Sequence, residues 1–511
     1  MRLRPTFTPA RARHYRRPGG PWDLPPLDAV LAPRSVAPVR LVDGSVRLTG
    51  PELEARVAAL AGGLRARGVR RADVVAWQLP NWHESVLLYR ACWRLGAVAA
   101  PLHHSWGTNE VARILDLLEP RLVLGGTGMP ARDAPEAVPV RGGDGAFPSL
   151  LGTGRPVSDG GGRPTDLAVV LFTSGSTGEP KAVLHTQRSL AYKARLMAGV
   201  HGLGSDDAVL MPAPLAHVSG LLNAVLVPGA AGMSTVLMER WDPEAALTAI
   251  EAERVSYMVG PPTFFLGLMS AATFSRHRVA SLRLVSSGGA GVSPAFVARA
   301  TAELGCQVKR SYGSTEAPTM TTTTASDPPR QAQETDGRPV GEVELRISDP
   351  NSGRALPPGA EGELWVRGPE LFAGYADAAQ TREATWRGWF RTGDLARLDG
   401  ERSLTIVGRI KDVIIRGGEN IAAAEVEAVL EAHPSVRQAV AVGHPDERLG
   451  ERVAVFVVSD DPFDLETCRA WFAERGVARF KTPELVIPVS AVPSTAAGKP
   501  DRAALKERLP A

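Results

Sequence analysis

A continuous apolar run at residues 167–172 places the strongest constraint on the fold of this chain. A strand without polar alternation is typical of a sheet whose two faces are both covered. A second short apolar run, residues 74–77, follows a polar turn and predicts another strand. After it, Asn81 and Glu84 have the spacing of a helix capping box, and Gly96 stands where that helix would end. The repeated order of strand and helix predicts an α/β fold built in layers.

The 511 residues are enough for two or more domains, at roughly 100–200 residues per domain. Residues 126–165 are rich in glycine, proline, aspartate and arginine, which predicts a surface connection between two halves of a large region. Towards the C-terminus the pattern predicts a strand over residues 452–458 and a helix over about residues 464–476. We therefore predict an N-terminal domain of layered α/β subdomains at residues 1–410 and a small α+β C-terminal domain at residues 411–511.

Composition excludes several classes of protein. The formal net charge is only +3, which argues against a general nucleic-acid binder. The three cysteines lie far apart and show neither metal spacing nor a disulfide framework, so we expect a reducing, cytoplasmic location. The longest apolar stretch, residues 221–238, is interrupted by Asn223, Pro228 and glycines and does not predict a membrane span. An arginine-rich N-terminal segment without an apolar core indicates a basic surface arm.

The apolar run at residues 167–172 leads into a loop of small and hydroxyl-bearing residues that ends on a lysine. Backbone N–H groups of such a loop can converge on an anion, its hydroxyls add donors, and Lys181 adds a positive charge. The spacing is not that of a Walker A loop, and a flexible serine–glycine turn is the alternative interpretation. The loop consists of Thr173, Ser174, Gly175, Ser176, Thr177, Gly178, Glu179, Pro180 and Lys181.

Two further segments lie in the middle of the chain. Gly288, Gly289 and Ala290 come after an apolar run, and glycine there permits the close approach of a flat ligand. Tyr312 then offers an aromatic face, and Glu316 offers a carboxylate of the kind that binds Mg²⁺. Taken singly, each has an ordinary alternative, since a tyrosine is often a core residue and an acid is often solvated on the surface.

The C-terminal third contains three more polar segments. Asp394 ends the segment Gly-Trp-Phe-Arg-Thr-Gly-Asp, where its carboxylate is suited to accept hydrogen bonds from ribose hydroxyls. Arg409 and Lys411 lie in Gly-Arg-Ile-Lys-Asp, which is followed by a glycine pair, Gly417 and Gly418. Lys499 lies in a segment rich in glycine and proline near the end of the chain, where a lysine is normally solvated.

Taken together, in this order and spacing, these segments resemble the adenylate-forming superfamily, which includes acyl-CoA synthetases, nonribosomal peptide adenylation domains and beetle luciferases. The resemblance extends from about residue 45 to residue 505. It implies a large N-terminal domain and a small, mobile C-terminal domain that rotates between two half-reactions. The chain departs from the family after Asn420, where alanines stand in place of a common proline, and at Ala496 and Ala497, where the last motif is simpler.

Carried over position by position, the resemblance assigns a role to each segment. The loop at residues 173–181 is similar to the phosphate loop, and Lys411 matches the hinge. The glycine pair near residue 417 matches the thiol tunnel, and Lys499 matches the lysine that bridges carboxylate and α-phosphate. The other assignments are Gly288, Gly289, Ala290, Tyr312 and Gly313 for the adenine slot, Thr315 and Glu316 for phosphate and Mg²⁺, and Asp394 and Arg409 for ribose.

The resemblance also implies substrates: ATP with Mg²⁺, a carboxylic acid and coenzyme A. The acyl pocket is expected at His217, Val218, Leu221 and Gly289, and the catalytic residues at Lys499, Thr315, Glu316 and His217. Amino-acid-activating relatives place an aspartate where this chain has Val218, and burying an ammonium without a partner is costly, so we predict an apolar medium-chain, alicyclic or aromatic monocarboxylate. Two alternatives stay open: a stand-alone ligase that loads an acyl carrier protein, and a non-catalytic nucleotide-binding relative.

Overall fold

A computed structural model describes residues 6–31, 39–142, 146–158, 160–173, 180–324, 327–416, 419–495 and 499–510. Shorter helical turns lie at Leu221–Leu226, which has π geometry, and at Pro130–Asp133, Ile410–Asp412 and Arg479–Lys481, which are 3₁₀ turns. The α-helices are α1 (Pro9–Tyr15), α2 (Leu27–Val30), α3 (Gly50–Ala66), α4 (His83–Leu95), α5 (Thr108–Leu118), α6 (Ala146–Gly152), α7 (Gln187–His201), α8 (Val218–Gly220), α9 (Val227–Ala231), α10 (Pro243–Glu253), α11 (Pro262–Met269), α12 (Pro294–Leu304), α13 (Pro329–Glu334), α14 (Ala378–Ala384), α15 (Ala423–Glu431), α16 (Leu465–Glu474) and α17 (Arg502–Lys506).

Among the described residues, the strands form four sheets. The strands are β1 (Leu41–Asp43), β2 (Val46–Leu48), β3 (Val74–Gln78), β4 (Val98–Leu102), β5 (Leu122–Gly126), β6 (Val138–Val140), β7 (Leu167–Thr173), β8 (Lys181–Thr186), β9 (Ala208–Met211), β10 (Ser234–Leu237), β11 (Tyr257–Gly260), β12 (Leu284–Gly288), β13 (Gln307–Tyr312), β14 (Thr321–Thr322), β15 (Arg338–Pro339), β16 (Glu344–Ser348), β17 (Glu361–Arg367), β18 (Gly374–Tyr375), β19 (Thr385–Trp386), β20 (Trp389–Leu398), β21 (Leu404–Arg409), β22 (Val413–Arg416), β23 (Glu419–Ala422), β24 (Val436–Asp446), β25 (Gly450–Ser459) and β26 (Leu485–Pro488).

Two large, mainly parallel sheets contain most of the strands. The first has the order β15-β14-β13-β12-β11-β9-β10-β1-β2, and the second has the order β18-β8-β7-β4-β3-β5-β6. The central residues of β3, β4 and β7 are buried on both faces, as the continuous apolar runs of β3 and β7 predicted. Because helices cover these sheets, the predicted layered α/β class is confirmed.

The start of α4 differs from the prediction. Trp82, not Asn81, is the N-cap, and no side chain caps the helix, although Gly96 ends it in the left-handed region with φ 70°. The Asn81 side chain is used elsewhere: its amide nitrogen donates to the carbonyls of Ala213 (2.9 Å) and Met238 (3.1 Å), and its oxygen accepts from the backbone N–H of Leu215 (2.8 Å). These bonds join the two large sheets where their strands end.

The glycine- and proline-rich segment is also more ordered than predicted. Strand β6 extends the second sheet beside β5, and α6 packs against α3. A glycine in the second half of α3 explains the close approach, because a Cβ on Gly63 would lie 2.0 Å from the carbonyl oxygen of Leu150. The segment is therefore part of the layered fold and not merely a connection over its surface.

Two smaller sheets complete the fold. The third has the order β16-β17-β20-β19, with β21 paired to β20, and the fourth has the order β23-β22-β25-β24, with β26 paired to β25. The predicted C-terminal strand and helix are present as β25 and α16, which Asp464 caps by accepting from the N–H of Thr467 (2.9 Å). The three cysteines are free and buried. In the described part of the chain, no helix has the length and apolar character needed to cross a bilayer.

Candidate active site

The carboxyl ends of neighbouring parallel strands bring two predicted segments together. Strands β12 and β13 pair so that Gly288 lies opposite Ser311, and a Cβ at Gly288 would meet the Ser311 carbonyl oxygen at 2.2 Å. Gly289 adopts φ 79°, a conformation that favours glycine. Gly313, just after β13, is equally confined, since a Cβ there would lie 2.3 Å from the backbone nitrogen of Thr319. This edge therefore needs glycine to keep its shape.

Tyr312, Asp394 and Arg409 form one hydrogen-bonded cluster. Asp394 and Arg409 face each other in the register of β20 and β21, and Arg409 Nε lies 2.9 Å from Asp394 Oδ1. The Tyr312 hydroxyl donates to the other carboxylate oxygen. Burial raises the pKa of Asp394, and the charge of Arg409 opposes that rise. The structure thus brings the predicted ribose contacts next to the predicted adenine tyrosine.

Glu316 is held by a residue that the sequence analysis missed. The Tyr375 hydroxyl donates to Glu316 Oε1 (2.7 Å), and burial together with the Glu316 charge raises the pKa of Tyr375. Lys181 lies with its ammonium 5.4 Å from the centre of the Tyr375 ring. His185 was also missed, and its Nε2 donates to the Thr315 carbonyl oxygen (2.7 Å). Nothing in a single sequence marks these pairs, because the partners are far apart along the chain.

Lys499 reaches into the same cluster from the C-terminal region. A Cβ on Gly289 would lie 3.8 Å from the Lys499 Cε atom. Burial and the charge of Arg409 lower the pKa of Lys499, while Asp394 and Glu316 oppose that shift. The lysine is anchored by its own backbone, because its carbonyl accepts from the N–H of Thr495 (2.7 Å). It therefore adds a cation at the point where the predicted nucleotide contacts meet, and is not a solvated tail residue.

The predicted acyl-pocket residues lie at the start of an interrupted helix. His217 is the N-cap of α8, and its Nδ1 accepts from the N–H of Ser219 (3.4 Å). The helix continues through the π turn Leu221–Leu226, a feature often found at functional sites. Burial lowers the pKa of His217 to about 4, with a further lowering from Lys499. Leu221 is fully buried and Val218 is half-buried, so an apolar surface lies beside an uncharged imidazole.

Other predicted residues lie at the edge of this cluster or outside the described part of the chain. Thr173 pairs with Lys181 in the register of β7 and β8, so the two ends of the predicted phosphate loop are neighbours. Ala290 is half-buried after β12, and Lys411 is exposed in the 3₁₀ turn that links β21 to β22. The predicted residues that lie outside the described part of the chain are Ser174, Gly175, Ser176, Thr177, Gly178, Glu179, Gly417 and Gly418.

Comparison with known proteins gives a consistent result over nearly the whole chain. The family model for the AMP-binding enzyme matches residues 29–376, and the model for the AMP-binding enzyme C-terminal domain matches residues 425–499. A medium-chain fatty-acid–CoA ligase of Escherichia coli K12 is 32% identical over 537 residues, which cover 100% of this chain and 94% of that protein. A feruloyl-CoA synthase of an Amycolatopsis species is 34% identical over 473 residues, with 89% and 93% covered.

Comparison of the fold with solved structures agrees with the sequence comparisons. The crystal structure of ATP-bound MatB from Rhodopseudomonas palustris matches with a TM-score of 0.87 at 27% identity, covering 94% of this chain and 98% of that chain. A family model that spans more than half of the chain and relatives above 30% identity over most of its length agree with the ordered motifs. The chain therefore belongs to the AMP-binding enzyme family, which is the adenylate-forming superfamily that its motifs resemble.

Proposed function

We propose that this protein is an AMP-forming acyl-CoA ligase for an apolar monocarboxylic acid. It converts the acid and ATP into acyl-adenylate and pyrophosphate, and then transfers the acyl group to coenzyme A with release of AMP. The observation that carries the proposal is the position of Lys499, which reaches from the C-terminal region to Gly289 and lies in the field of Asp394, Arg409 and Glu316. A cation at that position can offset the repulsion between the substrate carboxylate and the α-phosphate of ATP when the two react.

In the first half-reaction, a carboxylate oxygen attacks the α-phosphorus of ATP and the bond to pyrophosphate breaks. The reacting groups repel each other, and Lys499 offsets this repulsion and the charge that builds on the phosphoryl oxygens. Tyr312 and the glycine edge at Gly288 bind the base, and the Asp394 carboxylate accepts from ribose hydroxyls while Arg409 holds it in place. Lys181 and the loop before it bind the phosphates.

Glu316 and Thr315 fit a magnesium ion. The Tyr375 hydroxyl fixes one carboxylate oxygen of Glu316, and oxygen donors are what Mg²⁺ prefers. Within the described residues, no cluster of three metal-ligating side chains includes Glu316. Mg²⁺ usually takes one or two carboxylates together with substrate phosphates, so this donor set is sufficient. When bound, the ion would neutralise phosphate charge.

In the second half-reaction, the thiol sulfur of coenzyme A attacks the acyl carbon. The carbon–oxygen bond to AMP breaks, AMP leaves with the electron pair, and the thiol proton passes to solvent. A free thiol has a pKa of about 8.5, so positioning must supply most of the rate. We place the domain boundary between residues 410 and 411, with Lys411 as the hinge and Gly417 and Gly418 beside the thiol path. The three free cysteines fit a reducing compartment, and we propose the cytoplasm.

The acid class follows from the surface beside His217. Val218 and Leu221 are apolar, and Phe264, which packs against the same hydrophobic core, stacks on Trp241 with ring centres 4.7 Å apart. Amino-acid-activating relatives carry an aspartate at the Val218 position to hold the substrate ammonium. The relatives named for medium-chain fatty acids and for ferulate support a medium-chain or aromatic monocarboxylate.

Val218→Asp is expected to reduce kcat/KM for the best apolar acid by at least about tenfold, because a carboxylate on this apolar surface would be desolvated against the acyl chain or forced to raise its pKa. Val218→Asn has the same shape without the charge and is expected to lose less. The measurement is steady-state acyl-CoA formation over a series of acids. Equal activity of Val218→Asp and wild type on the best acid would show that the acyl pocket does not include Val218.

Asp394→Asn is expected to raise the KM for ATP by about tenfold or more, with little change in the KM for the acid, since a lost hydrogen bond to a charged acceptor costs roughly 1.5–3 kcal/mol. Glu401→Gln, in the exposed turn between β20 and β21, is the matched control and should behave like wild type. A variant at position 394 with an unchanged KM for ATP contradicts the ribose assignment.

The acceptor is tested by supplying ATP and a panel of acids with either coenzyme A or a phosphopantetheinylated acyl carrier protein. We expect acid-dependent acyl-CoA and AMP in the first case. Acylation of the carrier protein alone would identify a carrier-loading ligase, and binding of ATP without turnover of any acid would identify a non-catalytic relative.

A further inference from the structure

The arginine-rich N-terminal arm, residues 6–22, has no role in either half-reaction. It is not simply solvated, because Tyr15 and Trp22 are buried, with 0% and 5% of their surface exposed. Phe7 completes an aromatic group, with its ring centre 4.9 Å from that of Trp22 and 6.1 Å from that of Tyr15. Arg188 of α7 stacks on Trp22, with its guanidinium carbon 3.7 Å from the ring centre. The arm is therefore packed into the fold, although most of its charged side chains lie at the surface.

Two hydrogen bonds join the arm to one segment of the chain, residues 369–375. The indole N–H of Trp22 donates to the carbonyl oxygen of Pro369 (2.9 Å), and the hydroxyl of Thr6 donates to the carbonyl oxygen of Phe372 (2.9 Å). Both hydrogen bonds are buried, and a buried carbonyl oxygen that loses its donor is costly. The arm thus holds the first half of the 369–375 segment in place.

The same segment holds Glu316 by two hydrogen bonds. The backbone N–H of Phe372 donates to the carbonyl oxygen of Glu316 (2.8 Å), and the hydroxyl of Tyr375 donates to Glu316 Oε1 (2.7 Å). The ring of Phe372 lies edge-on to that of Tyr375, with centres 4.9 Å apart, and Phe372 is fully buried. One peptide residue therefore links the arm to Glu316, because the carbonyl of Phe372 is held by Thr6 and its N–H holds Glu316.

Two further contacts tie the 369–375 segment to the phosphate side of the site. Glu370 forms a buried ion pair with Lys193 (3.2 Å), and the Lys193 ammonium also donates to the carbonyl oxygen of Thr319 (2.6 Å), three residues after Glu316. At its other end the segment forms β18, which pairs with β8, the strand that begins at Lys181. A displacement of this segment would therefore shift Glu316 relative to Lys181.

We propose that the N-terminal arm positions Glu316 for the binding of ATP with its magnesium ion. The inference rests on the proposed function, in which Glu316 serves that ion. The arm acts through the 369–375 segment, whose carbonyl oxygens it holds, and not by contact with a substrate. A carboxylate that is already held in place loses less freedom when it binds, so loosening the arm lowers the affinity for magnesium-bound ATP. The steps that involve the acid and the thiol do not depend on it.

The test uses two substitutions in the full chain that remove the hydrogen bonds and retain the packing. Thr6→Val keeps the shape without the hydroxyl, and Trp22→Phe keeps an aromatic ring without the indole N–H. We expect the double variant to raise the Kd for ATP with Mg²⁺, measured by isothermal titration calorimetry, by about three- to tenfold. The Kd for ATP in EDTA and the KM for the acid should stay close to wild type. Arg17→Gln, which removes an exposed ion pair between the arm and Glu342, is the matched control and should bind like wild type.

A double-mutant cycle with Glu316→Gln separates positioning from general stabilisation of the fold. If the arm acts through Glu316, the Thr6→Val and Trp22→Phe pair should have little further effect on the Kd for ATP with Mg²⁺ in the Glu316→Gln background. Additive losses in that background, equal losses with and without Mg²⁺, or an arm variant that unfolds at lower temperature but binds magnesium-bound ATP like wild type overturns the inference. These titrations need no acid, so a wild-type protein without acid-dependent pyrophosphate exchange overturns the proposed function, while the binding data still decide the role of the arm.

Discussion

Lys499→Ala is expected to slow acyl-adenylate formation by about 10²–10³-fold, the range for removing one preorganised charge from a transition state. Thioester formation from added acyl-adenylate should stay close to the wild-type rate. The reason is geometric: Lys499 reaches the site beside Gly289 in the present arrangement, and rotation of the C-terminal region would carry it away before the thiol enters. Single-turnover assays of the two half-reactions give both rates.

The control for this substitution is Lys506→Ala, which removes an exposed lysine from the nearby helix α17. It should leave both half-reactions unchanged. If Lys499→Ala slows both half-reactions equally while the protein remains folded, the lysine does not act in adenylation alone, and the assignment is wrong.

Lys411→Pro is expected to reduce acyl-CoA formation by orders of magnitude while one turnover of acid-dependent pyrophosphate release survives. Lys411 lies in the 3₁₀ turn Ile410–Asp412, the link between Arg409 of the nucleotide cluster and strand β22 of the C-terminal sheet. Proline fixes φ near −65°, which such a turn accepts, and it also restricts Ile410. Hinges are a few loop residues that absorb a large change in φ and ψ, so proline should hold the chain in the adenylating orientation.

Lys411→Ala removes the same side chain without stiffening the backbone, and it should retain thioester formation far better than the proline variant. If Lys411→Pro forms thioester from added acyl-adenylate at the wild-type rate, residue 411 is not the hinge. If both half-reactions fall together in folded protein, proline has distorted the junction and no orientation has been trapped.

Local patterns in the sequence predicted the elements whose burial is uniform. Strands β3 and β7 were recognisable because a doubly covered strand is apolar along its whole length. The cap at Asn81 was predicted wrongly because local spacing cannot show that a side chain has stronger partners in another sheet. Strand β6 was missed because three residues at a sheet edge carry almost no pattern.

The candidate site was likewise predictable from the sequence only in part. Ordered motifs pointed to Tyr312, Asp394 and Arg409, and the structure joins them by hydrogen bonds. Tyr375 could not be predicted, because it meets Glu316 across 59 residues and only the pairing of β18 with β8 brings it there.

The most direct test of the central claim is carboxylate-dependent exchange of labelled pyrophosphate into ATP, measured on the full chain over a panel of monocarboxylic acids without any thiol. We expect exchange with at least one medium-chain, alicyclic or aromatic acid, a requirement for Mg²⁺, and loss of exchange in Lys499→Ala but not in Lys506→Ala. Exchange that does not depend on an acid, or no exchange with any acid by a folded protein that binds ATP, would contradict it.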